Sequence, residues 1–218
     1  MAQFLSDKWA NLKSSDVWVD WPWGGKIKGV TMEGGAVDNS PLLAFLKNIT
    51  ASFTAVERAF VISSTNVDTG EYHQFTDKNI TLDELADAAV ASASIPMVFP
   101  PHVWEGKGVF MDGMTAYNTN AESAIERCLD GIVDDESKII VDVLICGTVS
   151  PTTEEKSGNG WENYFRGRAE KKFYNDGNQL IYTMRAHPNV NFRYVVHEQN
   201  GAGGTSELNF NASFTNDL

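Results

Sequence analysis

The chain has 218 residues, and its 17 basic and 29 acidic side chains give a formal net charge of −12. Its 42% hydrophobic content is that of a globular protein, and its acidity argues against nucleic acid as a partner, because phosphate binding needs clustered Lys and Arg. The two cysteines, Cys128 and Cys146, form no disulfide framework and favour a reduced, cytoplasmic setting. Neither a membrane span nor a signal peptide is recognisable in the sequence.

The first thirty residues are rich in tryptophan. Residues 4–12 predict a short helix, which an irregular aromatic segment follows as far as Gly24 and Gly25. The tryptophans of this stretch are Trp9, Trp18, Trp21 and Trp23. Because tryptophan favours the membrane–water interface, the segment is a candidate for contact with a lipid substrate or a membrane surface. Packing of the rings as a cap on the core is the simpler interpretation, and the sequence identifies no protein partner.

One helix start and two extended stretches are marked between residues 40 and 80. Ser40 as N-cap and Pro41 in the first turn predict a helix. Its apolar side chains recur at helical spacing and comprise Leu42, Phe45, Leu46 and Ile49. Residues 58–67 predict a strand that enters the core, and residues 68–70 turn the chain back toward a second extended stretch over 72–75.

A third helix and a hairpin follow. Thr81 and Glu84 have the spacing of a capping box, and Pro96 forces the helix to stop because it pushes the preceding residue out of the α region. A hairpin then turns at residues 106–108, and its return strand ends at Asp112 and Gly113.

The second half continues the alternation of helices and strands. Asn120 can cap a helix with an inward stripe of Ile125, Cys128, Leu129 and Ile132. Residues 138–146 are almost continuously apolar, which predicts a strand buried on both faces. A polar loop over 150–167, a helix over 169–184, a strand over 191–196 and a polar tail from Gly201 complete the prediction. This order indicates an α/β fold in a single domain over residues 1–218, without an internal repeat.

The common catalytic motifs are missing from the sequence. The four histidines lie far apart without metal-ligand spacing, and they are His73, His102, His187 and His197. No Walker A loop is present, and the glycines at 201–204 are not followed by a helix, so we predict neither a metal nor another cofactor. No serine has glycine at both −2 and +2, so a G-x-S-x-G nucleophile elbow is missing as well.

One passage carries more information than the rest. Residues 91–114 combine a helix of small residues, Ile-Pro, Phe-Pro-Pro, a hairpin and Asp-Gly, in that order. This passage resembles the patatin-like phospholipase family, whose domains carry a similar arrangement that ends in Asp-Gly-Gly or Asp-Gly-Ala. Weaker similarities to the same family occur at residues 35–43, 61–70 and 144–148.

The resemblance implies a three-layer α/β/α fold around a mostly parallel sheet, and a lipid acyl hydrolase that uses a Ser-Asp dyad. By position, the aspartate of the dyad is Asp112, its motif neighbours are Gly113 and Met114, and no metal is required. Met114 stands where the family usually has Gly or Ala. The family's oxyanion loop and nucleophile precede the matched passage, so the resemblance implies a domain without its N-terminal part.

Three hypotheses are consistent with the sequence. In the first, the chain is most of a lipid acyl hydrolase domain that is inactive alone, and a serine outside these residues attacks a phospholipid or acylglycerol ester. In the second, it is a catalytically dead module with a binding or structural role. In the third, it is an unrelated α/β protein in which Asp112 and Gly113 form only a turn.

Overall fold

A computed structural model describes residues 2–145 and 158–197. The chain divides into two compact units, the first holding the described residues up to Ala116 and the second those from Tyr117 onward. Each unit is described by itself below.

Short helices make up much of the first unit. They are α1 (Ala2–Asn11), α2 (Ser14–Val17), α3 (Gly25–Lys28), α4 (Ser40–Thr50) and α5 (Leu85–Ala93), with a π-helical turn over Gly29–Glu33. The helices predicted from residue 4 and from residue 40 are confirmed. Ser40 is not the N-cap of α4, however, because the Asp38 carboxylate accepts a 2.8 Å hydrogen bond from the Ser40 N–H and Asn39 occupies the cap position.

The first unit is built around a four-stranded antiparallel sheet. Its strands are β1 (Val61–Asn66), β2 (Tyr72–Thr76), β3 (His102–Trp104) and β4 (Gly108–Asp112), in the spatial order β2-β1-β4-β3. The predicted hairpin is confirmed as β3 and β4, whereas the strand predicted over 58–67 is shorter than expected. Helix α5 ends before Pro96 as predicted, and Glu84 accepts a 2.8 Å bond from the Thr81 N–H, which is one half of the predicted capping box.

Aromatic side chains dominate the core on one face of this sheet. Phe75, Trp104 and Phe110 are buried together with small residues of α5, and the Phe75 ring lies 4.9 Å from the Trp104 ring and 5.3 Å from the Phe110 ring. The alanines Ala88 and Ala91 allow α5 to approach the sheet closely. This core fixes β4, and therefore the position of Asp112 at its end.

The second unit pairs two parallel strands with two helices. Its elements are α6 (Ala121–Leu129), β5 (Ile140–Ile145), α7 (Gly160–Ala186) and β6 (Asn191–His197). The N-cap prediction is confirmed, because Asn120 accepts a 3.1 Å bond from the Ser123 N–H. Of the predicted inward stripe, Ile125 is fully buried, but Leu129 and Ile132 are exposed, so that part of the prediction is wrong.

Two further predictions for this unit are wrong. Ile140 and Leu144 of β5 are exposed, so one face of the strand packs while the other does not, contrary to the predicted burial on both faces. The predicted loop ends earlier than residue 167, because α7 begins at Gly160. A capping box causes this start, since Asn159 accepts from the Glu162 N–H at 3.1 Å and Glu162 accepts from the Asn159 N–H at 2.8 Å. The rest of that predicted loop and the polar tail lie outside the described residues.

The mixture of helices and sheets agrees with the predicted α/β class, but a mostly parallel sheet is not confirmed. Only β5 and β6 are parallel among the described strands, because β3 and β4 are joined by a hairpin turn and β1 and β2 by a short turn, and such connections give antiparallel pairs. The single domain over residues 1–218 stays a prediction. Within the described ranges, no helix is both long and apolar enough to cross a membrane.

Candidate functional site at the end of strand β4

Asp112 is held firmly through its backbone. It is the last residue of β4, and its Cα partner across the ladder is Ser64 of β1. On the side of helix α5, the Asp112 N–H donates a 2.9 Å hydrogen bond to the carbonyl oxygen of Ser94, the residue that ends that helix. The end of β4 is thereby fixed to both β1 and α5.

The carboxylate of Asp112 is oriented by the turn that follows it. Residues Gly113–Thr115 form a single 3₁₀ turn, and Asp112 caps it by accepting a 2.8 Å hydrogen bond from the Met114 N–H. The side chain is half-buried, so it is accessible while its direction is constrained. Because Met114 contributes a backbone group here, this contact is available to any residue at position 114 except proline.

Gly113 is required by a close approach between backbones. A Cβ atom at this position would lie 2.7 Å from the Ser63 carbonyl oxygen and 2.9 Å from the Ser63 carbonyl carbon. Gly113 is buried, and it is not among the glycines with positive φ. The glycine therefore follows Asp112 because β1 passes against the turn, rather than because the turn needs a left-handed residue.

Buried polar groups adjoin Asp112 on β1. Ser64 and Asp112 are directly opposed in the antiparallel ladder, so their side chains leave the same face of the sheet. Ser64 is completely buried, and its hydroxyl, like that of Thr65, has no hydrogen-bond partner among the described residues. The completely buried Ser94 differs, since its hydroxyl donates a 2.9 Å bond to the Val90 carbonyl. The sequence does not reveal this polar environment, because no motif includes Ser64.

Two of the four histidines contact carboxylates in the structure. In the first unit, His102 lies 3.1 Å from the Asp87 carboxylate, which also pairs with Lys47 at 3.1 Å. Burial lowers the pKa of His102 despite the neighbouring Asp87 carboxylate, so the neutral imidazole is favoured. The motif search missed this contact because Asp87 and His102 are on different elements.

In the second unit, His187 bridges two carboxylates. Its Nδ1 lies 2.6 Å from Glu136 and its Nε2 lies 2.8 Å from Glu122. Hydrogen bonds to Glu122 and Glu136 raise the pKa of His187. The carboxylates contact opposite nitrogens of the ring, which suits a charged imidazolium that donates twice. Within residues 2–145 and 158–197, no group of three or more His, Cys, Asp or Glu side chains could hold a metal ion.

The comparison with known families decides the assignment. The family model of the patatin-like phospholipases matches residues 2–125, which is more than half of the chain and includes Asp112. The chain belongs to the patatin-like phospholipase family. A comparison with curated proteins finds no match.

Membership confirms the resemblance that the sequence predicted, and with it the α/β class. It removes the hypothesis of an unrelated α/β protein. The match extends further toward the N-terminus than the similarities at residues 35–43 and 61–70, and it includes the tryptophan-rich segment. The predicted similarity at residues 144–148 lies beyond the matched range.

Proposed function

We propose that the chain carries the acid–base residue of a lipid acyl hydrolase, and that Asp112 is the base of a Ser-Asp dyad. The observation that carries this proposal is the position of Asp112 within the family match, at the constrained end of β4. The substrate class is a phospholipid or acylglycerol ester.

The proposed chemistry divides ester hydrolysis into two steps. A serine hydroxyl attacks the carbonyl carbon of the ester, its proton passes to the Asp112 carboxylate, and the same proton then goes to the leaving alcohol. Asp112 next takes a proton from water as the water attacks the acyl-serine carbonyl carbon, and it gives that proton to the serine oxygen as the bond to the acyl group breaks and the fatty acid is released. The bond from the Met114 N–H supports this role, because it fixes the direction of the base.

We further propose that the 218-residue chain alone does not hydrolyse esters. Its sequence contains no G-x-S-x-G segment, so the attacking serine of the dyad lies outside these residues. Ser94 is no substitute although its carbonyl contacts the Asp112 backbone, since its side chain is completely buried and donates to Val90. Without that serine, Asp112 has no dyad hydroxyl to activate.

Two proteins test the proposal: the 218-residue chain and the product of its natural reading frame. Release of fatty acid from phosphatidylcholine and cleavage of a soluble butyrate ester are measured for both. We expect no turnover by the 218-residue chain, and turnover by the natural product that Asp112→Asn reduces at least about 100-fold. The matched control is Asp83→Asn, which makes the same change at an exposed carboxylate and leaves the rate within about twofold. Full activity of Asp112→Asn would refute the role of Asp112.

A catalytically dead module is the second candidate function. The missing G-x-S-x-G segment favours it, because a module that only binds needs no nucleophile. The same assays separate the two candidates. If the natural product releases no fatty acid and no butyrate although it is folded, the binding or structural role replaces the hydrolase.

A further inference from the structure

Four large apolar side chains in one short segment of the first unit are exposed to solvent. Trp23 is 98% exposed, Ile27 80%, Met32 79% and Val30 50%. These four residues, which we call the Trp23 ridge, fall within ten positions of the chain around α3 and the π-helical turn. Single exposed apolar residues are common on protein surfaces, whereas several large ones in one short segment indicate a surface that contacts another body.

The opposite side of this segment is fixed to the protein. Gly29 is buried, and a Cβ atom there would lie 2.3 Å from the Gly35 carbonyl oxygen and 2.6 Å from the Trp21 ring. The Trp21 indole donates a 2.9 Å hydrogen bond to the same Gly35 carbonyl. Trp21 is therefore a packing residue, which is the interpretation that the sequence favoured for the aromatic segment. Trp23 has a positive φ of 59°, and its side chain projects into solvent.

The charge of the segment distinguishes it from the rest of the chain. Residues 20–33 contain two basic side chains, Lys26 and Lys28, and two acidic side chains, Asp20 and Glu33, so this stretch is locally neutral in a chain of net charge −12. Lys28 pairs with Glu33 at 2.6 Å, and the Lys26 ammonium lies 5.6 Å from the centre of the Trp18 ring. Exposed apolar side chains that include a tryptophan and have lysines beside them suit the headgroup region of a phospholipid surface. In that region the phosphates lie above the acyl chains.

Backbone hydrogen bonds connect this segment to the candidate site. The Ala36 N–H donates to the Met97 carbonyl at 2.9 Å, and the Val37 N–H donates to the Val98 carbonyl at 3.1 Å. This 97–98 stretch closely follows Ser94, whose carbonyl accepts the Asp112 N–H. Met97 is itself 52% exposed.

We propose that the Trp23 ridge docks the protein on a zwitterionic phospholipid surface. This inference rests on the proposed lipid acyl hydrolase function, and it names the surface from which that site takes its substrate. The acidic remainder of the chain is repelled by anionic membranes, so a phosphatidylcholine surface is the occupant that the charges favour.

The test measures partitioning of the 218-residue protein onto phosphatidylcholine vesicles by co-sedimentation. The variant combines Trp23→Ala with Ile27→Ser, and it should bind at least about tenfold more weakly, because it removes the two most exposed apolar side chains of the ridge. Trp9→Ala is the matched control, since Trp9 is 56% exposed on α1, outside the ridge, and its loss should change binding less than about twofold. Thermal melting of both variants should match the wild type, because the replaced side chains are exposed.

Three results would overturn the proposal: no binding of the wild-type protein to the vesicles, equal binding of the ridge variant, or equal losses in the ridge variant and the Trp9 variant. Self-association that the ridge variant abolishes, measured by sedimentation velocity without lipid, would assign the ridge to a second copy instead. The butyrate assay keeps this inference separate from the proposed function. The hydrolysis is measured on the product of the natural reading frame. Hydrolysis by that product that depends on Asp112, without vesicle binding, refutes the ridge alone, whereas ridge-dependent binding without hydrolysis by that product refutes the enzyme alone.

Discussion

Replacing Gly113 by alanine tests whether backbone contact, rather than turn conformation, explains the glycine beside Asp112. The added Cβ would lie 2.7 Å from the Ser63 carbonyl oxygen, while an ordinary contact begins at 3.4 Å, so the turn or β1 must move by about 0.7 Å. The neighbouring atoms belong to the backbone of β1, which is hydrogen-bonded to β2 on one side and to β4 on the other. Movement of β1 therefore disturbs two ladders.

The expected cost is at the upper end of the range for overpacking. Overpacked positions lose about 1–3 kcal/mol, and we expect Gly113→Ala to lower the free energy of unfolding by about 2–3 kcal/mol. For a chain of this length, each kcal/mol lowers the melting temperature by about 2–4 °C, so a decrease of about 4–12 °C is expected. Urea unfolding followed by circular dichroism measures the free energy, and calorimetry measures the melting temperature.

The matched control makes the same substitution where space is free. Gly177 lies within α7, and a Cβ atom there would meet nothing within 4 Å. Gly177→Ala should therefore stabilise the helix, by about 1 kcal/mol or less, because alanine is the better helix former. The reasoning is refuted if Gly113→Ala unfolds at the same urea concentration as the wild type or at a higher one.

Two further substitutions test the electrostatics and the buried polar groups. Because the pKa of His187 is raised in the folded protein, its stabilisation is complete below about pH 6.5 and is lost as the pH rises through the folded value. His187→Gln should therefore lower the free energy of urea unfolding by about 1–2 kcal/mol at pH 6 and by clearly less at pH 9, and an equal cost at both pH values would contradict the charged bridge. Ser64→Ala removes a buried hydroxyl that has no partner among the described residues, so the free energy of unfolding should stay unchanged or rise by up to about 1 kcal/mol. A loss above about 1 kcal/mol would show that the hydroxyl is hydrogen-bonded.

Local signals in the sequence were sufficient for several elements. The helix from residue 40, the hairpin that ends at Asp112 and the cap at Asn120 each depend on residues within a few positions of one another. The start of α7 had the same kind of signal, since Asn159 and Glu162 have capping-box spacing, and a search that included asparagine at the cap would have found it.

Features that depend on distant residues were not predictable. Leu129 and Ile140 are apolar and fit the expected periodicity, but their exposure depends on which elements pack against them. The need for glycine at position 113 comes from Ser63, which is 50 positions earlier in the chain. Likewise, the sequence did not distinguish Trp21 from Trp23, whereas in the structure the bond to Gly35 and the approach of the ring to Gly29 show that Trp21 is a packing residue.

The rate at which a fluorophosphonate labels the active serine tests the role of Asp112 most directly. The reagent reports activation of the serine hydroxyl without requiring lipid binding or product release, and it is applied to the product of the natural reading frame. A dyad in which Asp112 is the base predicts that Asp112→Asn slows labelling at least about 100-fold, while Asp83→Asn labels like the wild type. Labelling of Asp112→Asn at the wild-type rate would contradict the account.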